Sequence, residues 1–172
     1  RQIKSVCKSV PISVECVPPS DFDYLTQLKD SGATAIIMNI EVYNSELRKE
    51  ICPGKGVIPV DYYLKALSFA VDLFGKGNVS SVLIAGIQPK ADIIEAAKKL
   101  INLNIIPTII PFKPLDGTLM ENHPVMDPYD YITISRSITD EMIKRGLIIN
   151  NKSGCAACGA CSLETNLVEV FI

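Results

Sequence analysis

Three of the six cysteines crowd into one short segment, Ser153-Gly154-Cys155-Ala156-Ala157-Cys158-Gly159-Ala160-Cys161-Ser162. Only Ala and Gly separate the thiols, so the chain can wrap tightly and aim backbone N–H groups at bridging sulfides. Thiolates at Cys155, Cys158 and Cys161 would hold three irons of a 4Fe–4S cluster and leave the last iron to another ligand or to substrate. Zinc is the rival metal, but a structural zinc site takes four ligands. His123, the single histidine, lies far off in an Asn122-His123-Pro124 turn and reads as a turn residue. Cys7, Cys16 and Cys52 could fold back as a further ligand, and inert thiols are the third reading. Such crowding suits a disulfide framework poorly, which points to a metal site in a cytoplasmic protein.

A second group of residues falls at expected strand ends, where parallel β-α folds place their chemistry. Asn39 and Glu41 are two apart and share one strand face. The amide can pair with a carboxylate or hydroxyl, and the carboxylate can accept from a diol or an ammonium. Lys55 stands on the Gly-flanked turn Cys52-Pro53-Gly54-Lys55-Gly56, within reach of an anionic group. In Leu83-Ile84-Ala85-Gly86, Ile84 offers an apolar contact and Gly86 lets the backbone approach closely. Lys113 and Asp116, in Pro111-Phe112-Lys113-Pro114-Leu115-Asp116-Gly117-Thr118, are candidate substrate contacts.

The elements that must position these residues alternate. Apolar strands are expected at 12–17, 34–41, 79–86 and 105–112. Helices are expected from Ser20 as N-cap through Asp30, at about 44–50, at 60–74 ending on Gly75, at 90–103, and at 128–145 ending on Gly146. The first residues read as the end of a helix. Cys52–Gly56 and 113–127 are expected as loops, and a last apolar stretch runs from Leu167 to Ile172. Repeated β-α units imply an α/β fold with a parallel sheet and right-handed crossovers. Four strands cannot close an eight-stranded barrel. The expectation is a partial TIM-type (β/α) barrel over 1–150, parallel strands with outer helices, and a cysteine-bearing extension over 151–172. The chain opens on Arg1, and the expectation is that the first barrel strands precede it or lie on a partner chain.

Val14-Glu15-Cys16-Val17 followed by Met38-Asn39-Ile40-Glu41 resembles the third- and fourth-strand motifs of biotin synthase and lipoyl synthase, members of the radical S-adenosylmethionine (SAM) superfamily. Leu83–Pro89 resembles the fifth-strand Ile-x-Gly segment of that family, and 111–118 its sixth-strand exit. Met38, Val42 and Gln88-Pro89 depart from the family pattern. The resemblance covers roughly 1–150. It implies that Asn39 and Glu41 bind the ribose and amino-acid part of SAM, that Ile84 and Gly86 pack on adenine, and that Lys55 reaches the cofactor carboxylate. It also implies a radical-generating 4Fe–4S cluster held by a Cys-x3-Cys-x2-Cys loop. That loop is absent from these residues, so this chain alone is not expected to cleave SAM. Arg136-Ser137 echoes a lipoyl-synthase pair but falls inside an expected helix and is read as chance.

The resemblance and the C-terminal cysteines together imply an enzyme of the sulfurtransferase type, inserting sulfur into a small-molecule or lipoyl-type substrate with an auxiliary 4Fe–4S cluster as the sulfur donor. The alternatives are a radical SAM scaffold with a different radical reaction, and a non-catalytic subunit bearing Fe–S or zinc that completes a barrel with a partner chain. Composition excludes other classes. At 172 residues, 48% hydrophobic and 21% charged, the chain can bury a core. A net charge of −2 gives no basic surface for nucleic acid or anionic lipid. No apolar run reaches the roughly 18 residues of a membrane span.

Overall fold

The computed structural model describes residues 2–147, 149, 154–164 and 166–167. In chain order the elements are α1 (Gln2–Val6), β1 (Ser13–Glu15), α2 (Asp23–Asp30), β2 (Ala35–Ile37), α3 (Ser45–Ile51), α4 (Pro53–Gly56), α5 (Val60–Phe74), β3 (Val79–Ala85), α6 (Lys90–Asn102), β4 (Ile106–Pro111), α7 (Pro128–Lys144) and α8 (Cys155–Cys158). The four strands pair in parallel in the order β1-β2-β3-β4, each strand beside its neighbour in sequence. This is the open, partial β/α barrel that the alternation of strands and helices predicts.

Register defines two faces. Ile36 lies beside Val79, and Leu83 beside Ile109. These residues join Met38 and Ile40 in a core with Tyr63 and Leu67 of α5, Ile93 and Leu100 of α6, and Ile138 and Met142 of α7. Alternation turns the intervening residues the other way. Glu15, Ile37 and Ser80 form one in-register row, and Val82 pairs with Thr108. This second face is the concave side, away from the helices. Cys16 packs with the helix-side core, so its neighbour Glu15 belongs to the concave side.

Three expectations change. Ser20 does not cap α2: the carbonyls of Pro19 and Ser20 accept from the Tyr62 hydroxyl, and the Asp21 carboxylate accepts from the Asp23 N–H at the helix start. Cys52–Gly56 is not a loop, because 53–56 form the helical turn α4. The strand expected over 34–41 runs regularly only to Ile37 and rejoins β3 at Glu41. Residues 168–172, most of the expected last apolar stretch, lie outside the described residues.

At Ile109 the free edge of β4 is satisfied by side chains. The Ile109 N–H donates to Glu164 Oε2 at 3.1 Å, and its carbonyl accepts from the Tyr131 hydroxyl at 2.9 Å. Covered in this way, the edge offers no pairing site at that residue. Burial pushes the Tyr131 phenol up to about 12, so it remains a donor.

Candidate active site

The end of β2 is irregular for a physical reason. Register advances by one residue between Ile36–Val79 and the Glu41–Leu83 bridge, which is a bulge. Side chains close the gap in the ladder. Asn39 Oδ1 accepts the Val82 N–H at 3.0 Å, and Ser81 Oγ accepts the Ile40 N–H at 3.1 Å. Asn39 Nδ2 donates to Glu15 Oε1 at 2.8 Å. Asn39 is 9% exposed. Each side of its amide keeps one hydrogen-bonding position in reserve, since a primary amide offers two donors and two acceptor lone pairs.

Glu41 follows the bulge with φ at 65°, a left-handed conformation that costs an L-residue roughly 1–2 kcal/mol. Such strain collects at functional sites. Its carboxylate pairs with Lys55 Nζ at 2.5 Å and accepts weakly from Cys52 Sγ at 3.6 Å. Burial first, and then the Glu41 charge, push the Cys52 thiol up. On β3, the Ile84 N–H donates to the Glu41 carbonyl at 2.8 Å. Gly86 (φ 102°) lies where a Cβ would sit 3.4 Å from Met126, so the loop before α7 closes over this strand end. Asn39, Glu41, Ile84 and Gly86 thus occupy neighbouring positions at the C-terminal ends of β2 and β3, and Lys55 reaches them from α4 through Glu41. Lys113 and Asp116 are exposed on that loop, and the His123 ring packs edge-on to Phe112.

The cysteine segment rests on the concave face. A Cβ at Gly154 would lie 2.6 Å from Ser13 Oγ and 2.9 Å from Ile37 Cδ1, so the turn needs a residue without a side chain. Ala156 is buried. Cys155, Cys158 and Cys161 line one pocket of about 290 Å³ with Thr108 and Ser162. Burial pushes the Cys155 thiol up, and the charges of Glu15, Cys161 and Cys158 add to it. Among the described residues no three His, Cys, Asp or Glu side chains gather closely enough to hold a single metal ion. Of the further ligand candidates, Cys7 is exposed beside Ser9, Cys16 faces the helices and Cys52 stands by Glu41.

Sequence reasoning missed Glu15 and Glu164. The first was legible in principle, since an outward-packing Cys16 forces Glu15 inward. Glu164 is 2% exposed, with Oε1 buried and unpartnered. Burial pushes its carboxyl up, and the hydrogen bond from Ile109 opposes this. A carboxyl whose folded pKa is raised is most favourable below its unfolded pKa. Stability then falls as pH rises from the ordinary glutamate range through the raised value. Glu164→Gln keeps an acceptor for Ile109 and removes the charge. Denaturant titrations at pH 5 and pH 8 are expected to show the variant more stable by about 1 kcal/mol at pH 8 and equal to the parent at pH 5. Equal stability at both values would refute a buried charge there.

No family model matches the chain. It is 27% identical over 141 residues to bacteriochlorophyllide c C-7(1)-hydroxylase of Chlorobaculum limnaeum, covering 81% of this chain and 35% of that protein. Its structure resembles coproporphyrinogen III oxidase (HemN) of Escherichia coli, a radical SAM enzyme, with a TM-score of 0.63 at 16% identity, covering 92% of this chain and 41% of the other. The chain therefore spans little more than a third of the length of these relatives. It shares the fold of part of that radical SAM enzyme, and neither likeness is to biotin synthase or lipoyl synthase.

Proposed function

We propose that this chain is part of a radical SAM enzyme that binds SAM across the ends of β2 and β3, through Asn39, Glu41, Ile84, Gly86 and Lys55. The observation that carries the reading is the convergence of Asn39, Glu41 and Ile84 on adjacent strand ends, linked by the Ile84 N–H and the bulge. When bound, SAM and a reduced 4Fe–4S cluster supply a radical able to take hydrogen from an unactivated carbon. The residues here would orient the cofactor. Glu41 accepts from hydroxyl or ammonium groups, and Lys55 beside it attracts a carboxylate. Asn39 uses its open donor and acceptor, and Ile84 with Gly86 offers a flat apolar edge. The remaining barrel, with the radical-generating cysteines, is supplied outside these residues in this reading, and the substrate is a small molecule.

Residues 151–172 form, in the same proposal, an appended segment that holds an auxiliary 4Fe–4S cluster on Cys155, Cys158 and Cys161. The thiols fit that group better than zinc. They line one pocket, and three thiolates can each hold a separate iron of a cluster, whereas a structural zinc takes four ligands and this segment offers three. Glu15 connects the two sites, bonded to Asn39 and electrostatically coupled to Cys155.

The likeness to a hydroxylase favours oxidation at a C–H bond as the outcome. Sulfur insertion is the second reading, and the cysteine loop is the observation that favours it. Anaerobic reconstitution of full-length protein is expected to give a brown species that forms 5′-deoxyadenosine from SAM. A colourless protein that leaves SAM intact would end the proposal. Mass analysis of the substrate after turnover, with isotope-labelled water and labelled sulfide, separates oxygen from sulfur gain.

Glu41 gives a sharper test. Glycine accepts φ at 65° without strain, so Glu41→Gly is expected to leave stability unchanged or raise it by about 1 kcal/mol. Calorimetric titration should show SAM affinity reduced at least tenfold. A variant that loses stability and binds SAM as before would assign Glu41 a structural role only.

A further inference from the structure

The strand β4 reads Ile-Pro-Thr-Ile-Ile-Pro, and its single polar side chain, Thr108, lines the cysteine pocket of about 290 Å³. Register pairs Thr108 with Val82 on the concave face, and α8 packs on this strand. The residue is 3% exposed, and its hydroxyl makes no hydrogen bond to any described residue. Its oxygen is nevertheless not sealed in the core, unlike those of Ser135 and Thr139 on α7, and the surface it keeps lies on the pocket side. Ser162, the other hydroxyl residue on the wall, acts on the Glu164 carboxyl and favours its charged form. The backbone beside Thr108 is fixed, because Glu164 and Tyr131 hold the N–H and the carbonyl of Ile109.

A hydroxyl taken out of water without a hydrogen bond is unfavourable. Valine has nearly the same shape, suits a strand as well, and would carry no such cost. The hydroxyl therefore gains its partner from what occupies the pocket. Thiolate and sulfide sulfurs are negatively charged acceptors, and charge strengthens a hydrogen bond. A β-branched side chain has few rotamers to lose, so the donor is held ready. Reduction adds one negative charge to a cluster, so a donor at its sulfur favours the reduced state and raises the reduction potential. The geometry points to Thr108 as a positioning residue that tunes the auxiliary cluster, its hydroxyl donating to a cysteinyl or bridging sulfur and making the cluster easier to reduce. The inference rests on the auxiliary cluster proposed above. The step it concerns adds one electron from an external low-potential donor, and no bond breaks.

Redox titration with dithionite, read by electron paramagnetic resonance, tests it. The protein is the full-length chain with its radical-generating cysteines replaced by alanine, so that one cluster remains to be observed. Thr108→Val is expected to keep iron and sulfide and to be about tenfold harder to reduce, a shift of about 59 mV to more negative potential for one electron. Thr108→Ser restores the hydroxyl and should titrate as the parent does. Thr108→Ala should shift in the same direction as the valine variant, so the test survives if one of the two does not assemble a cluster. Intact iron and sulfide with an unchanged potential in either variant would overturn the role of the hydroxyl and leave the cluster standing. A parent protein without iron and sulfide would instead end the auxiliary-cluster reading, and this inference with it.

Discussion

Serine at Cys155, Cys158 and Cys161 together is expected to remove about four irons and four sulfides per chain from anaerobically reconstituted full-length protein. The fold should survive. All three thiols are exposed, and the segment is anchored by groups other than sulfur: Gly154 against Ser13 and Ile37, the buried Ala156, and the Glu164 carboxylate on the edge of β4. Surface changes of this kind shift stability by no more than about 0.5 kcal/mol. SAM binding should also persist, because Glu41 and Lys55 are set by β2 and α4. Iron and sulfide analysis with electronic absorption spectra reads the result. Unchanged iron and sulfide would remove the auxiliary cluster. Loss of one zinc per chain from a colourless protein would replace it with a zinc site.

Much of the scaffold was legible because local and tertiary preferences agree. The helix from Val60 to Phe74 has a proline before it and Gly75 after it, and its apolar spacing gives the length directly. The continuous apolar runs of β3 and β4 mark strands covered on both faces. That Asn39 and Glu41 lie at one strand end followed from the strand-end rule, but the bulge between them, which interrupts the alternation expected to set both on one face, did not. A bulge is decided by which backbone groups a neighbouring strand presents, here Val82 and Leu83, and no local pattern in 34–41 encodes that. Glu164 was invisible for a similar reason. A carboxylate in a polar-looking tail reads as solvated until β4 is seen to lack a partner for Ile109. Arg48 reads as one of many charged positions on a short helix, and only its place beside Tyr63 and Ile40 buries it.

Asn39 carries the other large expected effect, because one amide serves both the fold and the proposed cofactor site. Asn39→Ala leaves the Val82 N–H buried without an acceptor and takes the donor away from Glu15. A buried donor left unmade costs about 1–3 kcal/mol, so denaturant unfolding should show a loss in that range. Asn39→Asp separates the two duties. One carboxylate oxygen can still accept from Val82, so the bulge is preserved, but the other oxygen now meets Glu15 where an N–H stood. Two carboxylates at hydrogen-bond distance repel unless one is protonated. The Asp variant should therefore be less stable than the parent at pH 8 and should recover as the pH falls toward 5, whereas the deficit of the Ala variant should not change with pH. Both should bind SAM at least tenfold more weakly at pH 8, the first through a displaced strand end and the second through charge. If the Asp variant matches the parent at pH 8, the Asn39–Glu15 contact does not hold these strands, and the path from the strand-end site to the cysteine loop loses its first link.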